Sequence, residues 1–287
     1  MPDFWVVGPI AWDRVLHVPH LPPSGGFVQA TDVAERPGGS GANTAMALAS
    51  TGASVHMVGY VGDDDPGARL RAILSAAGID VRFVHRRDGH TSEVIILVEP
   101  SGERAMCGIW PDLLHTVEVP AEEVAAGDLV HFAAWREEFV PAMTRLTNSG
   151  AVVATVPPPT IAPDLPVTYV IGSEAQYGRQ APWSEVGEGA VRAVVVTRGA
   201  DGVLIHRRDS SLAYPAHQVP AMDTTGAGDA FAAGFLHQIT VGASMDHAAS
   251  AGIAWAAAAV QSLASIPPPW QAVQGGICDL RPTRMKG

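Results

Sequence analysis

The segment Asp223-Thr224-Thr225-Gly226-Ala227-Gly228-Asp229-Ala230-Phe231 concentrates the groups best suited to chemistry. Glycines at 226 and 228 let the backbone turn tightly, so successive N–H groups can point at one spot. A helix opening there adds the positive end of its dipole. Together these features suit an anion, such as a phosphoryl group in transfer. Asp229 falls in the first helical turn, at the mouth of that site. An ionised carboxylate only accepts hydrogen bonds, so it can take the proton of an attacking hydroxyl. Donors for developing negative charge beside a base for the nucleophile are what phosphoryl transfer requires. Spacing alone leaves a second reading open, in which Asp229 only stabilises its helix.

Composition removes competing classes. The chain has 287 residues and a formal net charge of −11, without the basic footprint of a nucleic-acid binder. Lys286 is the only lysine, so neither a P-loop, a pyridoxal Schiff base nor the protein-kinase lysine is available. Two cysteines, Cys107 and Cys278, cannot build a disulfide scaffold or a cysteine-rich zinc module. No HExxH or other metal-ligand spacing occurs, and Gly226-Ala227-Gly228 lacks the third glycine of a dinucleotide fingerprint. The N-terminus begins with Asp3 rather than a basic region and reads as a strand, which predicts a cytoplasmic protein without a targeting segment. The alanine-rich stretch 248–264 contains Ser250, Gln261 and Ser262 and reads as a buried helix, not a membrane span.

The elements that must position the glycine turn follow from apolar runs and breakers. Runs at 4–7, 55–58, 129–132, 151–156, 169–171 and 193–197 alternate with helical or polar stretches, the rhythm of a parallel sheet covered by helices. Helices are predicted over 42–51, 65–77, about 227–240 and about 246–264. Residues 81–99 read as a hairpin turning at RRDGH, and 203–214 as a second one turning at RRDSS. The Pro- and Gly-bearing stretch 14–35 reads as small strands outside the main sheet, and 267–287 as a poorly ordered tail or a docking segment.

The 223–231 segment closely resembles the DTTGAGDxF signature of the ribokinase-like family, the PfkB carbohydrate kinases. Further blocks stand in the family's order. Pro37-Gly38-Gly39-Ser40-Gly41-Ala42-Asn43-Thr44-Ala45 resembles its GGxxxN block, and 59–67, GYVGDDDPG, its GxxGxDxxG continuation. The stretch 7–13, VGPIAWD, is similar to the first strand with a substrate-binding Asp, and 195–202, VVTRGADG, to the TxGxxG block. The likeness spans roughly residues 4–265.

That resemblance implies an α/β fold, doubly wound, with a mostly parallel sheet flanked by helices and a small β lid. It implies a kinase domain over 1–266, with lid segments at about 14–35 and 90–110, followed by the 267–287 segment. The implied activity is transfer of the ATP γ-phosphoryl to a hydroxyl of a sugar or sugar-like acceptor; a nucleoside kinase is the alternative, and a catalytically silent regulator the alternative of another class. By position, Asp229 would be the base and the N–H groups of Gly226, Ala227 and Gly228 the anion hole. Asp13, Gly39 and Asn43 would hold the acceptor, and Thr197, Gly199, Gly202 and Ser173 would line the nucleotide site. Mg²⁺ would travel with ATP, a monovalent cation would sit near Asp223, and a homodimer would join through the lids.

The residue chemistry agrees with these roles and leaves alternatives. Asp13 can accept two sugar hydroxyls after a strand, or be an exposed turn residue. Asn43 offers a donor and an acceptor, or caps a helix. The chain departs from the family at its NxxE motif, which reads Ser173-Glu174-Ala175-Gln176; Glu174 either holds a metal-bound water or is a surface residue. Trp12, Trp110 and Trp135, with Met106 and Cys107, form either an aromatic wall for a nucleobase or the core of the lid.

Overall fold

Strand β1 (Phe4–Val7) is buried at every position and sends alternate side chains to two different cores. Such two-sided burial is the mark of a strand in the middle of a helix-covered parallel sheet. A computed structural model describes residues 2–285 apart from 102, 110, 112, 113, 163, 178–188, 263 and 265. The chain continues through β2 (Ala11–His17), β3 (Asp32–Gly38), α1 (Ser40–Ser50), β4 (Val55–Gly62), α2 (Asp65–Ala76), β5 (Val84–Arg87), β6 (Ser92–Val98) and β7 (Arg104–Ile109). Then follow β8 (Leu129–Phe132), α3 (Val140–Asn148), β9 (Val152–Thr155), β10 (Tyr169–Ser173), α4 (Glu174–Tyr177) and β11 (Ala193–Thr197). The last elements are β12 (Val203–Arg207), β13 (Ser210–Tyr214), α5 (Ala227–Thr240), α6 (Met245–Ala259) and β14 (Thr283–Arg284).

The main sheet runs β14-β13-β12-β11-β10-β9-β8-β1-β4-β5. Pairing is parallel from β5 to β11 and antiparallel from β11 to β14. One face packs on α1, α2, α5 and α6, with Phe4 and Val6 pointing that way. The other packs on α3, through Met143 and Leu146, with Trp5 and Val7 pointing that way. The fold is therefore doubly wound. A second sheet, β3-β2-β6-β7, forms the lid. It is antiparallel except for the β2–β6 pair.

Two expectations change. Residues 81–99 do not form a hairpin: β5 joins the main sheet beside β4, and β6 joins the lid beside β2. The RRDGH stretch carries the chain from one sheet to the other. Asp64 anchors that crossing, because its carboxylate caps α2 through the N–H of Gly67 at 2.9 Å and also accepts the N–H of Thr91 at 2.7 Å. The last long helix ends at Ala259, five residues short of the expected end. The 203–214 hairpin forms as β12 and β13.

Gly234 and Gly252 let α5 and α6 approach closely; a Cβ on Gly252 would come within 2.8 Å of the Phe231 ring. Beyond α6, Trp270 is buried against Trp255, with ring centroids 4.9 Å apart. The Trp255 indole N–H donates to the Pro268 carbonyl at 2.7 Å, and β14 adds an edge strand to the main sheet. Among the described residues no helix is long and apolar enough to cross a membrane.

Candidate active site

The glycine turn forms as its composition requires. Gly226 precedes α5 with φ 77°, a left-handed conformation that side chains resist. The helix begins with the Ala230 N–H donating to the Gly226 carbonyl at 2.9 Å. Helical geometry leaves the N–H groups of Gly228 and Asp229 without an intrahelical acceptor. Gly228 is exposed, and a Cβ there would meet nothing within 4 Å. Open space thus stands directly before the amides that are to receive an anion.

Three polar side chains converge beside this turn from three elements. Asn43 lies in the first turn of α1, and its Nδ2 donates to Asp229 Oδ2 at 2.9 Å. Gly39, not Asn43, is the N-cap of α1, so Asn43 is no capping residue. Its Oδ1 is buried without a hydrogen-bond partner among the described residues, which suits a hydroxyl donor. Asp13 is buried within β2, inside the lid sheet and not in a turn after a strand. Its carboxylate lies over Gly38, where any Cβ would overlap it. Gly39 has φ 90°, and a Cβ there would stand 2.7 Å from the Pro9 carbonyl, so the tight turn itself requires glycine. Burial pushes the Asp229 carboxyl up to about 7; the Asn43 hydrogen bond opposes the shift and the Asp13 charge adds to it. A carboxyl with that affinity can hold or release a proton near neutrality.

A groove of about 280 Å³ adjoins the turn. Thr197, Gly199 and Gly202 line it together with Ala227 and Gly228, so the expected nucleotide residues and the anion hole share one cleft. Val203, Val219, Phe231 and Ile253 give it apolar walls. Gly202 has φ 88°, and a Cβ there would overlap the Tyr214 carbonyl oxygen. Ser173 pairs with Thr197 in register but is not among the groove's lining residues. Glu174 is exposed at the start of α4, and the side chain of Gln176 lies outside the described residues. No group of three His, Cys, Asp or Glu among the described residues is arranged to hold a metal ion.

The aromatic residues divide. Trp12 is buried on the opposite side of β2 from Asp13, with the Arg69 guanidinium 4.4 Å over its ring. Trp135 packs on the α3-side core. Trp12 is a core residue, Trp135 is half-buried against the core, and Trp110 lies outside the described residues. By register Met106 shares the lid face of Asp13, whereas Cys107 points the other way.

Sequence reasoning missed two arginines. Arg36 of β3 places Nη2 2.8 Å from Asp223 Oδ2, and Arg104 of β7 places Nη1 3.3 Å from Asp223 Oδ1. The Thr225 N–H donates to the same Oδ1 at 2.8 Å, and Arg104 also donates to Thr225 Oγ1. Burial pushes the Asp223 carboxyl up, but bonds from Thr225 and Arg36 outweigh it and hold it below the usual range. An alkali cation expected near Asp223 does not fit these partners, since both oxygens are engaged and two guanidinium charges stand beside them. No spacing rule links residues 36, 104 and 223; the only sequence signal is an arginine in each outer lid strand.

The model of the pfkB family carbohydrate kinases matches residues 1–166 and 175–272. An ATP-dependent ribose-1-phosphate kinase of Halopiger xanaduensis is 31% identical over 247 residues, covering 80% of this chain and 82% of that protein. Among solved structures, ribokinase from Thermotoga maritima aligns with TM-score 0.78 at 23% identity, covering 96% of this chain and 99% of that one. Burkholderia thailandensis nucleoside kinase in complex with inosine aligns with TM-score 0.79 at 19% identity, covering 95% of each.

Proposed function

Because the chain belongs to the pfkB family of carbohydrate kinases, we propose that its cleft joins the ATP γ-phosphoryl group to a hydroxyl held between Asp13, Asn43 and Asp229. Phosphoryl transfer from ATP to a sugar or nucleoside hydroxyl is the family's chemistry. One observation carries the assignment of roles: Asp229 stands in the same helical turn as the anion-binding amides, half-buried, and bonded to Asn43.

In this reading Asp13 and the free Oδ1 of Asn43 accept hydrogen bonds from acceptor hydroxyls. Asn43 Nδ2 meanwhile aims the Asp229 carboxylate. Asp229 accepts the proton of the attacking hydroxyl, and the N–H groups of Gly226, Ala227 and Gly228 hold the phosphoryl oxygens as charge develops. The transition state is loose, so the proton can leave late and a base of modest strength suffices. Thr197, Gly199 and Gly202 line the nucleotide's seat, and Ser173 stands one strand behind. Mg²⁺ arriving with ATP would supply neutralisation of phosphate charge. The single exposed carboxylate of Glu174 fits only a contact through a metal-held water.

The kinase unit in this proposal spans 1–266, and the segment that begins at 267 docks on it through Trp270. Val33, Ala105, Cys107 and Ile109 share one exposed lid face, which supports a homodimer through the lids. The first relative's name puts ribose and its phosphate esters at the head of the acceptor panel. The test is ADP release with Mg²⁺-ATP across ribose, ribose 1-phosphate, fructose, cyclitols and inosine, with Asp229→Asn beside the wild type. An acceptor-dependent rate that the variant loses is expected. ATP binding without turnover on any acceptor, or a fully active variant, overturns the assignment.

A further inference from the structure

We propose that Arg36 and Arg104 are positioning residues that stand in for an alkali cation at the head of the anion-binding loop. The lid thereby sets the loop as it closes, and transfer proceeds without a monovalent cation. The Asp223 side chain is 5% exposed and already takes three donors: Arg36 at 2.8 Å, Arg104 at 3.3 Å and the Thr225 N–H at 2.8 Å. A carboxylate offers about four acceptor positions, so a bare ion would find one left and would sit against two like charges. A guanidinium stays charged at any working pH, so this positive charge is permanent and needs no exchangeable ion.

The geometry also couples two parts of the molecule. Arg36 and Arg104 come from β3 and β7, the two outer strands of the lid sheet, and meet on one carboxylate. Arg104 bonds Thr225 as well, the residue before the left-handed Gly226 that opens α5. The same guanidinium therefore fixes both ends of the Asp223–Thr225 turn that aims the amides. Two guanidinium groups against one carboxylate leave a net positive charge beside the place where phosphoryl oxygens arrive.

The rate assay rests on the kinase reading above; amide exchange does not. ADP release is measured in KCl and in tetramethylammonium chloride at equal ionic strength. Wild-type rates within about twofold of each other are expected; potassium stimulation of about fivefold or more overturns the proposal. Arg104→Gln is expected to lose about tenfold or more in kcat with a smaller change in the KM for ATP, and Arg104→Ala to regain rate with added guanidinium ion. Wild-type kcat in Arg104→Gln overturns it. Exchange of the 225–229 amides should be at least about fivefold faster in Arg104→Gln, and unchanged exchange also overturns it. Absence of turnover on every acceptor would defeat the kinase reading alone, while the exchange measurement still decides the lid contact.

Discussion

Replacing Asp229 by Asn should raise stability while removing catalysis, and the gain should depend on pH. The carboxyl sits near 7 in the folded protein against an ordinary value of 3.8. A gap of roughly three units corresponds to about 4 kcal/mol of preference for the neutral form. The native state thus holds this proton to higher pH than the unfolded chain does. Stability contributed by the group falls as pH rises from about 4 to 7, and the full cost is present above about 7. Asn cannot ionise, fills the same space and still offers an oxygen to Asn43 Nδ2. The variant's advantage should therefore grow from about 1.5 kcal/mol near pH 5 to about 4 kcal/mol near pH 8, or about half that if cleft water screens the charge. Urea titrations at both pH values read it directly, and thermal melts at the higher pH should shift by about 4–8 °C. In parallel kcat should fall by about 10²–10⁴. A variant no more stable than wild type near pH 8, or equally stabilised at both pH values, would refute the claim that a charge is buried here.

Asn43→Leu removes the one bond that favours the ionised Asp229, so the rise of kcat/KM with pH should move up by about one unit, read from pH–rate profiles. Gly228→Ala should leave the fold intact, because its methyl meets nothing, yet lose most of kcat because that methyl occupies the space before the amides; circular dichroism and ADP release separate the two effects. Gly202→Ala should behave oppositely, costing more than about 2 kcal/mol in urea titration from its left-handed backbone and the Tyr214 carbonyl. Trp270→Ala should cost about 3–5 kcal/mol in the same assay, because its buried ring packs on Trp255.

The parts legible in the sequence are those whose reasons are local. The turn at 226–228 is demanded by glycine backbone freedom, and its helix by the run that follows, so both stand where spacing puts them. Apolar runs also disclose the parallel strands, because each is buried on both sides. Sheet membership is another matter. Strands β5 and β6 alternate like a hairpin, yet alternation records only that a strand has two faces, not which neighbour it pairs with. Asp13 reads as a loop residue because its position in the lid depends on the pairing with Arg36 and Val94, chosen by the whole chain. The grip of Arg36 and Arg104 on Asp223 spans 187 and 119 residues of sequence. No local pattern encodes it.

One consequence lies in how α1 and α5 meet. The base and the amides ride on α5, whereas Asn43 rides on α1; the two helices are in contact, and each carries buried alanines, Ala42 and Ala45 on one and Ala230 and Ala233 on the other. Any tilt of α5 carries the base and the anion hole together and leaves their mutual geometry intact. The gap between acceptor and donor is instead a spacing between two rods. A methylene added at that seam would act as a shim, lengthening the jump of the phosphoryl group without touching either ligand.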